Sequence, residues 1–161
     1  MRKRIGPNKQ ATLNKALKRI RRFKVFKQHK KGNETYFNDL LINHLRQANL
    51  PIKNKAIHCA KFVGETFRPE CYLKGTGKIP LCAVECKKLT DRAAKARWKA
   101  GLSQALLYSH FYKSVVLVFY DYTKDGKYHD AFSAKKSTES RFINELRDAF
   151  RIHVIVIRAE Q

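Results

Sequence analysis

The chain has 161 residues, 43% of them hydrophobic, with 35 Lys and Arg against 13 Asp and Glu and a formal net charge of +22. That length and apolar content suffice for one core and argue against global disorder, and no apolar run approaches the length of a membrane span. So large a cationic excess repels itself unless an anion neutralises it, which makes nucleic acid the expected partner and an anionic membrane surface the weaker one.

Residues 1–31 hold thirteen Lys or Arg and no acidic residue. Leu13, Ala16, Leu17, Ile20 and Phe23 recur at helical spacing, which predicts a basic amphipathic helix over about 12–28, with Thr12 as its cap. This segment is set apart as a nucleic-acid-contacting leader, with Arg19, Arg21 and Arg22 among its contacts, and residues 32–161 form the main domain. Met1-Arg2-Lys3-Arg4 lacks the apolar segment of a secretory signal, so an intracellular location is expected: cytoplasmic or, for a viral protein, the host cytoplasm. Asn33 caps a second helix whose stripe is Phe37, Leu40, Leu41, His44, Leu45 and Ala48, ending before Pro51. Glu34 lies in its first turn, on the face it shares with residues 37, 38 and 41.

Three strands are predicted at about 57–64, 66–73 and 79–87, with turns at Gly64 and at residues 74–78. A long helix follows over about 91–111, capped by Thr90 or Asp91, with Ala94, Trp98, Gly101, Ala105, Tyr108 and Tyr112 on one side. Ser114 to Tyr122 reads as a buried strand, Asp125-Gly126 as a turn, 138–150 as a helix and Ile152 to Arg158 as a last strand. The predicted fold is α/β: an antiparallel meander, a crossover helix and parallel strands in one mixed β-sheet flanked by helices.

The chemistry concentrates at Pro69-Glu70 and Glu85-Cys86-Lys87. Residues i and i+2 of a strand share a face, so Glu85 and Lys87 project together and Cys86 points away. Two carboxylates and an ammonium suit a divalent cation beside a phosphate. A second acid-x-Lys triplet, Asp125-Gly126-Lys127, reads as a turn. Cys59, Cys71, Cys82 and Cys86 lack Cys-x₂-Cys spacing and read as buried reduced thiols. The six histidines, His29, His44, His58, His110, His129 and His153, show no metal-ligand spacing. Ser103 lacks a nucleophile elbow, and Trp98 reads as core.

The order of a helix carrying Glu34, a hairpin carrying Pro69-Glu70, a strand carrying Glu85-Cys86-Lys87 and a helix carrying Gln104 to Tyr108 resembles the PD-(D/E)XK nuclease superfamily. That superfamily includes restriction-endonuclease-like, Holliday-junction-resolvase-like and RecB-like domains, and the resemblance spans about residues 33–158. It implies a restriction-endonuclease-like sheet and a Mg²⁺- (or Mn²⁺-) dependent deoxyribonuclease, an endonuclease rather than an exonuclease, with a homodimer plausible for cutting two strands. Glu70, Glu85 and the backbone carbonyl of Cys86 would ligate the metal, and Glu34 would tune it or serve a second ion. Lys87 would activate water, and Gln104 and Tyr108 would reach the substrate or the lysine. The family usually has aspartate where this chain has Glu70. Lys95, Arg97 and Lys99 would join the leader in gripping DNA. The competing expectation is a non-catalytic, basic nucleic-acid-binding protein that keeps the nuclease-like fold.

Overall fold

The computed structural model describes residues 5–54, 60–75 and 80–160. Helix α1 spans Pro7–Arg21, earlier than the predicted 12–28, because Pro7 stands at the first helical position after Gly6 and needs no donor there. Thr12 is therefore inside the helix and not its cap; its hydroxyl donates to Asn8 O at 3.1 Å. The apolar stripe is buried as spaced: Leu13, Ala16, Leu17, Ile20 and Phe23 are all within 8% of full burial. Each large member contributes about 1.5–3 kcal/mol, enough to dock a helix with no acidic residue to offset its cations. The stripe joins the same core as the sheet residues Val84, Cys86, Val118 and Ile157.

Strand β1 (Val25–Phe26) and a 3₁₀ turn (Lys27–Lys31) lead into α2 (Glu34–Arg46). The Asn33 side chain caps α2, accepting from Tyr36 N at 2.9 Å. The predicted meander is rearranged. β2 (Ile52–Asn54) was not anticipated, and the predicted 57–64 and 66–73 strands become β3 (Ala60–Phe62), β4 (Glu65–Phe67) and β5 (Cys71–Leu73). Pro69 cannot donate to a ladder, so the strand breaks there, and Glu70 sits at the bend before β5 rather than within a strand. β3 and β4 form a separate two-stranded hairpin closed by Val63 and Gly64, both at positive φ (50° and 78°). Such a turn matches strand twist but suits glycine, not a β-branched residue. Val63→Gly is expected to stabilise the protein by about 1 kcal/mol, read as a raised melting temperature. An unchanged or lowered value would refute strain at that turn.

β6 (Cys82–Leu89) is followed by α3 (Ala94–Phe111), β7 (Val115–Asp121), α4 (Lys127–Ser133), α5 (Thr138–Phe150) and β8 (Ile152–Glu160). The six-stranded sheet has the order β1-β8-β7-β6-β5-β2. β1, β8, β7 and β6 run parallel, and β5 and β2 are antiparallel additions. This is the expected mixed α/β sheet with helices on both faces. α1 and α2 cover the face carrying Val84, Cys86, Val116 and Val118. α3 covers the face carrying Ala83, Val115, Leu117 and Phe119.

Neither Thr90 nor Asp91 caps α3 by its side chain. Thr90 O accepts from Ala93 N and Ala94 N in a preceding turn, and Asp91 Oδ1 accepts from Lys124 N at 3.0 Å. Gly101 lets α3 approach β7: a Cβ there would lie 3.1 Å from the Phe119 ring. Trp98 stacks between Phe119 (4.2 Å) and Phe132 (4.5 Å), a packing role as expected. Asp125-Gly126 is a turn, and Lys127 begins the unanticipated α4 with Gly126, at φ 63°, as its N-cap.

Candidate active site

β6 positions the central pair. Its odd-numbered residues face α3, so Glu85 and Lys87 project into the layer between strand and helix. Both are buried, at 2% and 6% exposure, and Lys87 Nζ donates to Glu85 Oε1 at 2.5 Å. The even-numbered Cys86 points to the opposite core, where Tyr120 Oη donates to its sulfur at 3.5 Å. Cys71, Cys82 and Cys86 are buried free thiols, and burial raises the pKa of each; Cys82 is pushed up to about 12. Cys59 and His58 lie outside the described residues, as do residues 76–79 of the glycine turn.

One oxygen of Glu85 is held by Lys87. Oε2 is buried without a partner, and so are Gln104 Oε1 and Tyr108 Oη from α3. Buried polar atoms without partners are uncommon in folded proteins, and each leaves a capacity to bind. Gln104 and Tyr108 stand one helical turn apart on the face of α3 that meets β6. Tyr108 is wholly buried and so offers no surface to a nucleic acid. Burial first, and then the charge of Glu85, raises its hydroxyl above the ordinary tyrosine pKa; a hydrogen-bonding approach to the Glu85 carboxylate adds to this, so the Tyr108 hydroxyl lies against Glu85, short of a well-formed hydrogen bond.

The remaining carboxylates arrive from two other elements. The ladder pairs Cys71 with Val84, and Glu70, in the bend just before Cys71, lies near enough to Glu85 for its charge to act on it. Glu34, at the start of α2, accepts from Lys88 N at 3.3 Å and pairs with Arg97 at 3.4 Å. The pKa of Glu85 is raised to about 7: burial is the main cause, Lys87 opposes it, and the charges of Glu70 and Glu34 add to it. That electrostatic coupling ties all three carboxylates to one region.

Two residues escaped the sequence reading. Lys88 shares the α2-facing parity of Cys86; its ammonium donates to the carbonyls of Lys30 and Gly32, the latter at 2.7 Å. It also lies 5.5 Å from the Phe37 ring centre and 5.4 Å from that of Tyr122. Lys88 thereby anchors the 3₁₀ turn and the start of α2, and so the backbone of Glu34, beside β6. Parity alone could have revealed it. Asn38, one turn after Glu34, is 4% exposed with both side-chain polar atoms unpartnered. A buried asparagine on an apolar stripe was its sequence signal.

The predicted nucleic-acid contacts fall in two places. Lys95, Arg97 and Lys99 are exposed at the start of α3, beside Glu34. Arg19, Arg21 and Arg22 end α1. Arg21 and Arg22 line a groove against β8, two strands across the sheet from Glu85, and Arg19 donates to His44 O at 3.4 Å. The site therefore does not gather the leader arginines around the carboxylates.

The donor set Glu85, Glu70 and Glu34 is all oxygen, which suits a hard divalent cation and not zinc. The orphaned Glu85 Oε2 is a buried anionic ligand of the required kind. Among the described residues, no three His, Cys, Asp or Glu side chains are gathered into a formed metal-binding group. The donor atoms are of the kind that suits a hard cation but are not gathered around one point, and Lys87 and Arg97 pair with Glu85 and Glu34. No family model, curated protein or solved structure matches the chain.

Proposed function

We propose that the chain is a metal-dependent nuclease that hydrolyses phosphodiester bonds in DNA. The observation that carries this reading is the buried Glu85–Lys87 pair, with Glu85 Oε2 lacking a well-formed hydrogen bond and the Tyr108 hydroxyl against that carboxylate. A structural ion pair gains from satisfying every lone pair, and one left half satisfied costs stability without return unless a ligand completes it. Glu85, Glu70 and the Cys86 carbonyl would hold Mg²⁺ or Mn²⁺, with Glu34 beside them. Such an ion, when bound, polarises a phosphate and makes water a better nucleophile near neutral pH.

The chain's own residues do the rest. Lys87, released from Glu85, holds the attacking water and donates to a phosphoryl oxygen as negative charge builds there. Gln104 orients the lysine or the water from α3. Tyr108 acts from behind, keeping bulk water from Glu85. Lys95, Arg97 and Lys99 grip the backbone, and such contacts supply affinity without sequence information.

A second reading has its own support: Glu34 is already held by Arg97 and by Lys88 N, as expected of a site that works as structure. That reading makes the chain a non-catalytic DNA-binding protein. End-labelled duplex, single-stranded and four-way-junction DNA, incubated with Mg²⁺, Mn²⁺ or EDTA, separates the two. Cleavage that requires metal supports the nuclease. Salt-sensitive binding with no cleavage in any metal supports the second reading, and Glu70→Asp then tests whether the longer side chain is what silences the site.

A further inference from the structure

The β3–β4 hairpin carries the most exposed apolar residues among those described. Phe62 is 57% and Val63 84% exposed, at the tip of a two-residue turn. Neither is covered by the body of the protein, although the base of the same hairpin is: Ala60 is fully buried, and Ala60 and Phe67 pack into the cluster that contains Tyr108 and Ala83. Strand alternation puts Phe62 on the same hairpin face as Ala60. The Phe62 ring therefore prolongs that face past the edge of the body, on the side of the sheet that bears Glu85 and Lys87. The hairpin then runs through Arg68 and Pro69 directly into Glu70. Lys61 beside the ring and Arg68 at the foot of β4 are exposed, while the exposed Glu65 stands across the ladder from Phe62.

An exposed phenyl ring with no hydrogen-bonding group reads a flat apolar face and nothing else. Lys61, Arg68 at the hairpin's foot and the chain's net charge of +22 draw a phosphate backbone toward the hairpin, and Glu65 across from Phe62 turns that backbone away from the ring's own cross-strand side. In continuous duplex the base faces are stacked on one another, whereas a single strand, a frayed end or a branch point leaves one free. Building on the proposal that the partner is DNA, we propose that the β3–β4 hairpin is a base-stacking pin. In it Phe62, supported by Val63, stacks on an unpaired base beside the phosphate presented to Glu70 and Glu85. The substrate class that follows is DNA with unpaired bases, not continuous duplex.

The test needs no catalysis. Binding of a single strand and of the matching duplex is measured in EDTA for wild type, Phe62→Ala and Phe62→Trp. Phe62 is at the surface, so none of these changes disturbs the core. Phe62→Ala is expected to weaken single-strand binding roughly tenfold and to leave duplex binding nearly unchanged. Phe62→Trp should keep wild-type affinity, and its added indole should be quenched by the single strand, against a constant signal from the packed Trp98. Unchanged single-strand affinity in Phe62→Ala, an equal loss on both DNAs, or no quenching in Phe62→Trp overturns the pin. Absence of binding to either DNA by wild type overturns the nucleic-acid reading and the pin with it, whereas binding without cleavage leaves the pin fully testable. Sedimentation with anionic phosphatidylserine vesicles is the control. Vesicle binding lost in Phe62→Ala while DNA binding persists assigns the tip to a lipid surface and overturns the proposal.

Discussion

Lys87→Ala is expected to lower metal-dependent DNA cleavage about 10³-fold and to leave DNA affinity in EDTA within about twofold. The separation follows from burial. At 6% exposure Lys87 contributes little to the surface that grips phosphates, yet it is the ammonium hydrogen-bonded to Glu85. The truncation also strips a buried carboxylate of its partner, which costs about 3–5 kcal/mol if the charge must stay. Glu85 avoids part of that cost by taking up a proton, because its pKa is already raised by burial and Lys87 is the group holding it down. The sign is that of an acid whose folded pKa is raised: its contribution to stability is greatest below the unfolded pKa and is lost as pH rises through the folded one. The melting-temperature gap between wild type and Lys87→Ala should therefore widen from about pH 6 to about pH 9. Single-turnover cleavage, binding in EDTA and thermal denaturation at the two pH values check each part. Wild-type cleavage by the variant would remove Lys87 from the mechanism.

Cleavage at subsaturating Mg²⁺ is expected to rise about tenfold per pH unit on the acid side and to level off above about pH 7, where Glu85 loses its proton. Ionised Glu85 is the form able to hold a cation, so proton and metal compete for one carboxylate. Raising the Mg²⁺ concentration should move the midpoint to lower pH. The apo protein should show the opposite dependence in its stability. Between the ordinary carboxylate pKa and about 7 the folded state keeps a proton that the unfolded chain has released, so stability falls as pH rises across that window. Parallel pH series of initial cleavage rate and of melting temperature in EDTA test the two slopes. A flat rate profile, or a midpoint that ignores Mg²⁺, would show that Glu85 does not gate the site.

Much of the architecture was legible because burial follows periodicity. The α1 stripe from Leu13 to Phe23, the α2 cap at Asn33, the buried β7 and the bounds of α5 are local consequences of helical spacing, capping chemistry and β-branched runs. The pairing of Glu85 with Lys87 and the opposite orientation of Cys86 follow from strand parity alone. Where the prediction failed, a single residue or a distant pairing decided. Pro69 divides one apparent strand into β4 and β5, and β1 exists because two residues find β8 alongside them. Thr12, Thr90 and Asp91 have capping chemistry, but a proline at the start of α1 and a turn before α3 take the helix ends elsewhere.

The sequence by itself determined a basic α/β protein with one acid-x-Lys strand embedded in apolar neighbours. Composition and alternation are local properties, and they survive whatever the chain does at long range. Tertiary structure alone decided which charges meet. It paired Glu34 with Arg97 and Lys88, brought the charge of Glu70 to bear on Glu85, and sent the α1 arginines to the far side of the sheet. It also closed Tyr108 off from solvent and left Phe62 in it, although both are aromatic residues in apolar surroundings of sequence. The reason is physical: exposure and charge pairing depend on what packs above a residue, and in this chain that cover comes from elements dozens of positions away.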